Sequence, residues 1–195
     1  LAKISLDYLV NYKKEFTMPL IKTIKPEDAT GELAELYAKI EAIRGRVPMS
    51  SQLRSTSPSL LRGQLEFISY YMQHKTLSAP LLASIRLLVS SNTGCKYCVD
   101  FNTSMLINMF GWSIDETAAL KDNGQSEKLS EKENAMLGFV VNSVKKCTKA
   151  DETELNALRA LGWSDGDILD ALQRGARMSA IDIIFNTFDL ISDDA

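Results

Sequence analysis

Two cysteines separated by two residues, Cys95-Lys96-Tyr97-Cys98, are the part of this chain best equipped for chemistry. Residues three apart on a helix share a face, so the two sulfurs are placed to close a disulfide. Gly94 reads as the end of a turn, Thr93 or Asn92 as the helix cap, and Cys95 as lying near the first helical residue. Free backbone N–H groups and the helix dipole at such a start favour a thiolate. A thiolate beside a second thiol supports two chemistries. It can exchange with a disulfide, or it can attack a peroxide to give a sulfenic acid that the neighbour condenses with. Zinc is an alternative occupant, since a CxxC can be half of a tetrahedral site. Beyond the pair, the chain offers thiol or imidazole ligands only at Cys147 and His74. Two thiols with a purely structural role are the remaining alternative.

Neighbouring residues add little by spacing alone. Lys96 and Asp100 flank the pair but fall off the Cys95/Cys98 stripe, and Tyr97 is expected to pack. His74 precedes a probable cap at Ser78 and reads as a surface or core-edge histidine. Trp112, Trp163 and the many Met and Phe residues are most economically core.

The elements that must position the pair are helical. Apolar spacing follows the helical period almost throughout, with no convincing strand. The spacing predicts helices near 3–15, 29–44, 58–73, 78–91, 95–110, 113–122, 130–146, 151–161 and 164–190, with a loop from Gly45 to Ser57. Ser57-Pro58 marks one start. Ser113 with Glu116 and Ser130 with Glu133 mark two more as capping boxes, and Asp151 with Glu154 and Ser164 with Asp167 are weaker versions. The fold class expected is all-α. Residues 1–25 are expected to form an amphipathic helix and linker, and 26–195 the helical domain.

Composition narrows the function. The 195 residues are 45% apolar and 24% charged, with a net charge of −3, which suits one domain with a real core. No basic footprint calls for nucleic acid or an anionic membrane. No apolar run reaches the roughly 20 residues of a membrane span. Three cysteines make no disulfide framework, and without an export signal the expected compartment is a reducing cytoplasm.

An internal repeat is visible. Phe110-Gly-Trp-Ser113 recurs as Leu161-Gly-Trp-Ser164 at a shift of 51, while Leu77-Ser78 matches Leu129-Ser130 and Cys95 matches Cys147 at a shift of 52. A single-residue deletion in the second copy reconciles the shifts. Cys147 has no partner, because Ala150 stands where Cys98 does in the first copy.

Glu32-Leu-Ala-Glu-Leu-Tyr37, Gly45-Arg-Val-Pro48, Ser57-Pro58 and Ser91-Asn-Thr-Gly-Cys-Lys-Tyr-Cys98 together resemble the carboxymuconolactone decarboxylase and AhpD-like alkylhydroperoxidase superfamily, over roughly residues 25 to 190. The resemblance implies an all-helical, internally duplicated fold and a homo-oligomer, trimer or hexamer. It implies a peroxidase or peroxiredoxin-like thiol oxidoreductase that needs no cofactor or metal and is restored by a dithiol reductant. Cys98 would attack and Cys95 would resolve. The family's motif places Glu twelve residues before the first cysteine and His four after the second; here those positions hold Ala83 and Asn102. Neither moves a proton near neutral pH, so the resemblance implies weak peroxidase turnover. Asn102 is retained as a site residue that can hydrogen-bond the Cys98 sulfur. Arg86, one turn after Ala83 on the same helix face, carries a charge that would favour a nearby thiolate, but is expected to be solvated or interfacial. The other readings are a non-enzymatic or redox-sensing scaffold, and a lactone decarboxylase, which the cysteines and single histidine disfavour.

Overall fold

The structure is a computed structural model that describes residues 19–190. The amphipathic helix expected at 3–15 lies outside the described residues. Among those described are nine α-helices and no strand. They are α1 (Gly31–Arg44), α2 (Met49–Gln52), α3 (Pro58–Met72), α4 (Ala79–Thr93), α5 (Lys96–Phe110), α6 (Ile114–Asn123), α7 (Glu131–Lys146), α8 (Glu152–Ala160) and α9 (Asp165–Thr187). Among the described residues no helix is long and apolar enough to cross a membrane.

The centre of the fold is α4. Leu81, Leu82, Ala83, Ile85, Leu87, Leu88 and Val89 are all buried, so apolar residues run round the whole helix and it must be enclosed. It packs against α5, α7 and α9, with a smaller contact to α6. Each buried Leu or Ile contributes about 1.5–3 kcal/mol relative to exposure, which makes this helix the main anchor of the core. A second, smaller cluster joins α1 to α3. Leu33, Leu36, Tyr37 and Ile40 form one stripe of α1 and pack with Val47 and Leu61.

Of the glycines, Gly175 on α9 is the most tightly enclosed. A Cβ there would sit 2.5 Å from Val140 Cγ1 on α7, 3.2 Å from Val144 Cγ2 and 3.5 Å from Ile85 Cγ2 on α4. The missing side chain is what lets three helices meet.

Helix starts follow the caps closely. Ser113, Ser130, Asp151 and Ser164 all form full capping boxes, including the two whose sequence signal is weaker. Ser57 makes no side-chain cap bond, leaving Pro58 to set that start. The Ser130→Ala variant is expected to lose about 0.5–2 kcal/mol, read as a lower denaturation midpoint at unchanged m-value.

Two expectations are corrected. The 45–57 loop contains the single-turn helix α2, held by Gln52 Nε2 donating to the Val47 carbonyl at 3.0 Å. Four residues are too few to show a period. The repeat is real in geometry at Gly111-Trp112-Ser113 and Gly162-Trp163-Ser164: both glycines have positive φ, both tryptophans are buried and both serines cap. Cys147, however, is the left-handed C-cap of α7, with φ 50°, which is the place that Gly94 takes on α4 rather than the place of Cys95. Helix α7 is one residue longer than α4 (16 against 15), which moves the register.

Candidate active site

The site forms where α4 hands the chain to α5. Gly94 ends α4 in the left-handed region at φ 70°, and the Cys95 N–H donates back to the Ser90 carbonyl at 3.1 Å. Cys95 is then itself the N-cap of α5, with no side-chain cap bond. The cap expected at Thr93 or Asn92 is therefore corrected: α4 runs on through Thr93, because the Thr93 hydroxyl is used on a partner helix. The Cys95 carbonyl accepts from the Val99 N–H at 2.9 Å, so the first turn of α5 is tied at both ends of the pair.

Both cysteines are buried, at 1% and 3% exposure. A third group meets them that spacing does not reveal. Asp182, fully buried on α9, brings a carboxylate oxygen to the two sulfurs, with all three atoms within 4.8 Å of one another. Two hydroxyls from α4 hold this carboxylate. Ser90 Oγ donates to Oδ1 at 3.0 Å and Thr93 Oγ1 donates to Oδ2 at 2.7 Å. These charge-assisted bonds orient the group and leave each oxygen a lone pair free.

Burial pushes the Asp182 carboxyl above its ordinary range, against the lowering effects of Thr93, Cys98, Ser90 and Cys95. Cys98 is raised as well, first by Cys95 beside it, then by burial and by the charge of Asp182. Asp182 and Cys98 share too little water for both to carry charge without cost. The folded protein holds the Asp182 proton to higher pH than the unfolded chain does. Its contribution to stability is therefore fully present below the unfolded value of about 3.9 and is lost as pH rises through the folded value. The Asp182→Asn variant is accordingly expected to melt at or above wild type at neutral pH and to lose that relative advantage near pH 4. An Asn variant melting well below wild type at pH 7 shows instead that the charged carboxylate is net stabilising.

On the other side of the pair stands positive charge. Arg86 is partly buried, not solvated as its sequence position suggests, and its Nε donates to Asn102 Oδ1 at 2.6 Å. Burial lowers the Arg86 pKa most, then the charges of Arg174 and Arg44, while Cys98 acts in the opposite sense. Arg54 is lowered by burial and by Arg177, and is likewise raised by Cys98 and Tyr97. Neither Arg54 nor Arg86 has a carboxylate within ion-pair distance among the described residues. Of the two sulfurs, Cys98 is the one that interacts with both charges.

Asn102 is placed at the site but differently than expected. Its Nδ2 donates to the Cys98 carbonyl at 2.7 Å while its oxygen accepts from Arg86. A carbonyl can only accept and a guanidinium can only donate, so this amide orientation is forced. Asn102 thus fixes the first turn of α5 and the Arg86 head group, rather than bonding the sulfur. Tyr97 packs edge-on to Phe185 at 5.4 Å. Lys96 and Asp100 form an exposed ion pair of their own. His74 sits elsewhere, 3.1 Å from Asp170 Oδ2 and accepting the Leu77 N–H on Nδ1 at 3.1 Å. Neither His74 nor Cys147 joins the pair, so the ligands considered for zinc do not assemble; Asp182 is the third donor that does.

No protein-family pattern matches this chain. No curated protein matches it by sequence. Solved structures match its shape. An uncharacterized peroxidase-related protein from Silicibacter sp. TM1040 superposes with a TM-score of 0.78 at 17% identity, over 89% of this chain and 91% of that one. The alkylhydroperoxidase AhpD core, an uncharacterized peroxidase-related protein from Ralstonia eutropha JMP134, gives 0.77 at 18% identity, over 91% and 94%. The chain has the AhpD-like fold. Within that fold chemistry varies, since the debrominase Bmp8 also matches, with a TM-score of 0.72 at 17% identity over 89% of this chain and 92% of that one.

In this AhpD-like chain the position twelve residues before Cys95 is Ala83, fully buried against the core. The position four after Cys98 is Asn102, committed to a carbonyl and to Arg86. The carboxylate at the pair comes from α9 instead. Sequence reasoning missed Asp182 because it lies 84 residues beyond Cys98. One signal was available: an Asp inside the apolar run Met178-Ser-Ala-Ile-Asp-Ile-Ile-Phe185 falls on a helix face that should be core.

Proposed function

We propose that this protein is a thiol-dependent oxidoreductase that reduces hydroperoxides or disulfides through Cys95 and Cys98. The observation that carries the reading is two cysteine sulfurs and a carboxylate oxygen within 4.8 Å at the start of a helix. In the peroxide reaction Cys98 attacks the distal oxygen, the O–O bond breaks, and an alcohol and a Cys98 sulfenic acid result. Cys95 then displaces the hydroxyl as water and forms the disulfide. A dithiol reductant exchanges with that disulfide and returns both thiols, leaving its own sulfurs oxidised. The AhpD-like fold and the peroxidase-related names of its structural neighbours support this class of chemistry. A homo-oligomer, trimer or hexamer, is part of the same proposal, and a sedimenting species of only about 22 kDa counts against it.

Burial of both sulfurs sets the substrate preference. Hydrogen peroxide is expected to react faster than tert-butyl hydroperoxide, and that faster than cumene hydroperoxide. The test is turnover of these three with a dithiol such as dihydrolipoamide, for wild type beside Cys95→Ser and Cys98→Ser. Turnover that both variants retain at the wild-type level removes the proposal. The same burial favours a second reading, a redox-sensing scaffold that forms its disulfide once and does not cycle. Ready disulfide formation without multiple turnovers selects it. The decarboxylase reading is disfavoured, because the chain's single histidine is bound to Asp170, away from the pair.

A further inference from the structure

We propose that Asp182 is the catalytic proton carrier of the cysteine pair, taking the place of the carboxylate–imidazole relay that Ala83 and Asn102 do not supply. The inference rests on the thiol-oxidoreductase reading above and adds the group that makes it work.

Among the described residues the geometry leaves one candidate. Asp182 is the carboxylate that lies within 4.8 Å of both sulfurs. Ala83 has no polar atom. Asn102 spends both ends of its amide on the Cys98 carbonyl and on Arg86. Arg54 and Arg86 are permanent cations that stabilise a thiolate but cannot accept its proton. The Ser90 and Thr93 hydroxyls point their protons at Asp182, so they hold it in place rather than compete for the role.

Ser90 and Thr93 tie this carboxylate to α4, but two neutral hydroxyls do not offset a buried charge. Asp182 sits on α9 between Ile181 and Phe185, both core residues. Among the described residues no Lys, Arg or His pairs with it. Such a group is expensive to bury, and a cost of this kind next to a reactive pair points to function.

The proton balance closes in two steps. Asp182 first accepts the Cys98 proton. The Cys98 thiolate attacks the distal peroxide oxygen, the S–O bond forms, the O–O bond breaks, and its electron pair leaves on the alkoxide. Asp182 returns the proton to that alkoxide, giving the alcohol. In the second step Asp182 accepts the Cys95 proton. The Cys95 thiolate attacks the Cys98 sulfur, the S–S bond forms, the S–O bond breaks, and hydroxide leaves with the proton from Asp182 as water. The carboxylate ends each step as it began.

The test uses single-turnover oxidation by hydrogen peroxide, followed as loss of free thiol across pH, on wild type, Asp182→Asn, Thr93→Val and Cys98→Ser. Asp182→Asn is expected to slow the reaction by about 10²–10⁴-fold at neutral pH. Its rate should then rise steadily with pH as solvent alone removes the proton. Thr93→Val keeps the carboxylate but removes a donor that lowers its pKa, so the acidic limb of the profile should move to higher pH. A merely structural Asp182 would not move that limb. An Asp182→Asn variant with wild-type rate and profile, beside an inactive Cys98→Ser, overturns the inference while leaving the thiol mechanism intact. A wild type that oxidises no faster than Cys98→Ser removes the underlying reading instead. Should Asp182→Asn fail to fold, by its melting curve, an unmoved acidic limb in Thr93→Val decides against the inference.

Discussion

Cys95→Ser is expected to consume one equivalent of hydrogen peroxide and then stop, whereas Cys98→Ser consumes none. Both should lose steady-state turnover by a factor on the order of 10³ or more, the scale expected when a nucleophilic group that acts as part of a unit is removed. The asymmetry follows from the placement of the two sulfurs. Cys98 lies inside the first turn of α5, against Asp182 and within the field of Arg54 and Arg86. Cys95 is the cap residue at the junction of α4 and α5. With serine at position 95 no thiol remains beside the Cys98 sulfenic acid to condense with it. The product should carry the mass of one added oxygen and react with a dimedone-type trapping reagent. An oxygen adduct on Cys95 in the Cys98→Ser protein, with none in the reverse variant, would interchange the two roles. Cys147→Ser is the control. That thiol is exposed, caps α7 and makes its contact with the Val144 carbonyl, so turnover should stay within about two-fold, as for surface changes away from the site.

Gly175→Leu carries the largest expected effect on stability, and Gly175→Ala a smaller one. A methyl at this point meets Val140 Cγ1 at 2.5 Å, and Val140 is fully buried with no room to swing aside. Overpacking of this kind costs about 1–3 kcal/mol, and the better helix propensity of alanine offsets about 1 kcal/mol of it. A larger side chain such as leucine exceeds the offset by more. For a chain of this size each 1 kcal/mol moves the melting temperature by roughly 2–4 °C. The Val140→Ala change removes the clashing methyl. Paired with Gly175→Ala it should restore part of the loss, giving a favourable coupling in a double-mutant cycle. A Gly175→Leu protein as stable as wild type, or a double variant showing simple additivity, would show that α7 and α9 are not in the contact described. The change reaches the site too. Asp182 lies two helical turns beyond Gly175 on α9, so displacing the helix at Gly175 shifts the carboxylate against the sulfurs.

The sequence carried the helices because their determinants are local. Ser113, Ser130, Asp151 and Ser164 cap the helices that follow them, and glycines with positive φ close others, as at Gly94 and Gly111. Each signal sits within a few residues of what it controls, so it can be read without knowing the fold. Short α2 escaped because one turn has no period. The start of α5 was misjudged for a related reason: Thr93 looks like a free cap in the sequence, but its hydroxyl bonds a carboxylate from another helix.

The CxxC pair belongs to the same local class. Helical spacing alone puts Cys95 and Cys98 together, and their place at a helix start follows from Gly94. What surrounds them does not follow. Arg86 looks like a solvated residue until α5 brings Asn102 to its Nε. Asn102 looks like a ligand of sulfur until the fold offers it a carbonyl and a guanidinium. Asp182 is one of many acidic residues until α9 packs beside α4 and places it between two hydroxyls and two thiols. By itself the sequence determined an all-helical chain with two cysteines on one face at a helix start, because caps, period and close spacing act over a few residues. Only the tertiary structure decided which charges face that pair, because a carboxylate 84 residues away becomes a neighbour only when burial of the apolar faces of α4 and α9 brings the two helices together.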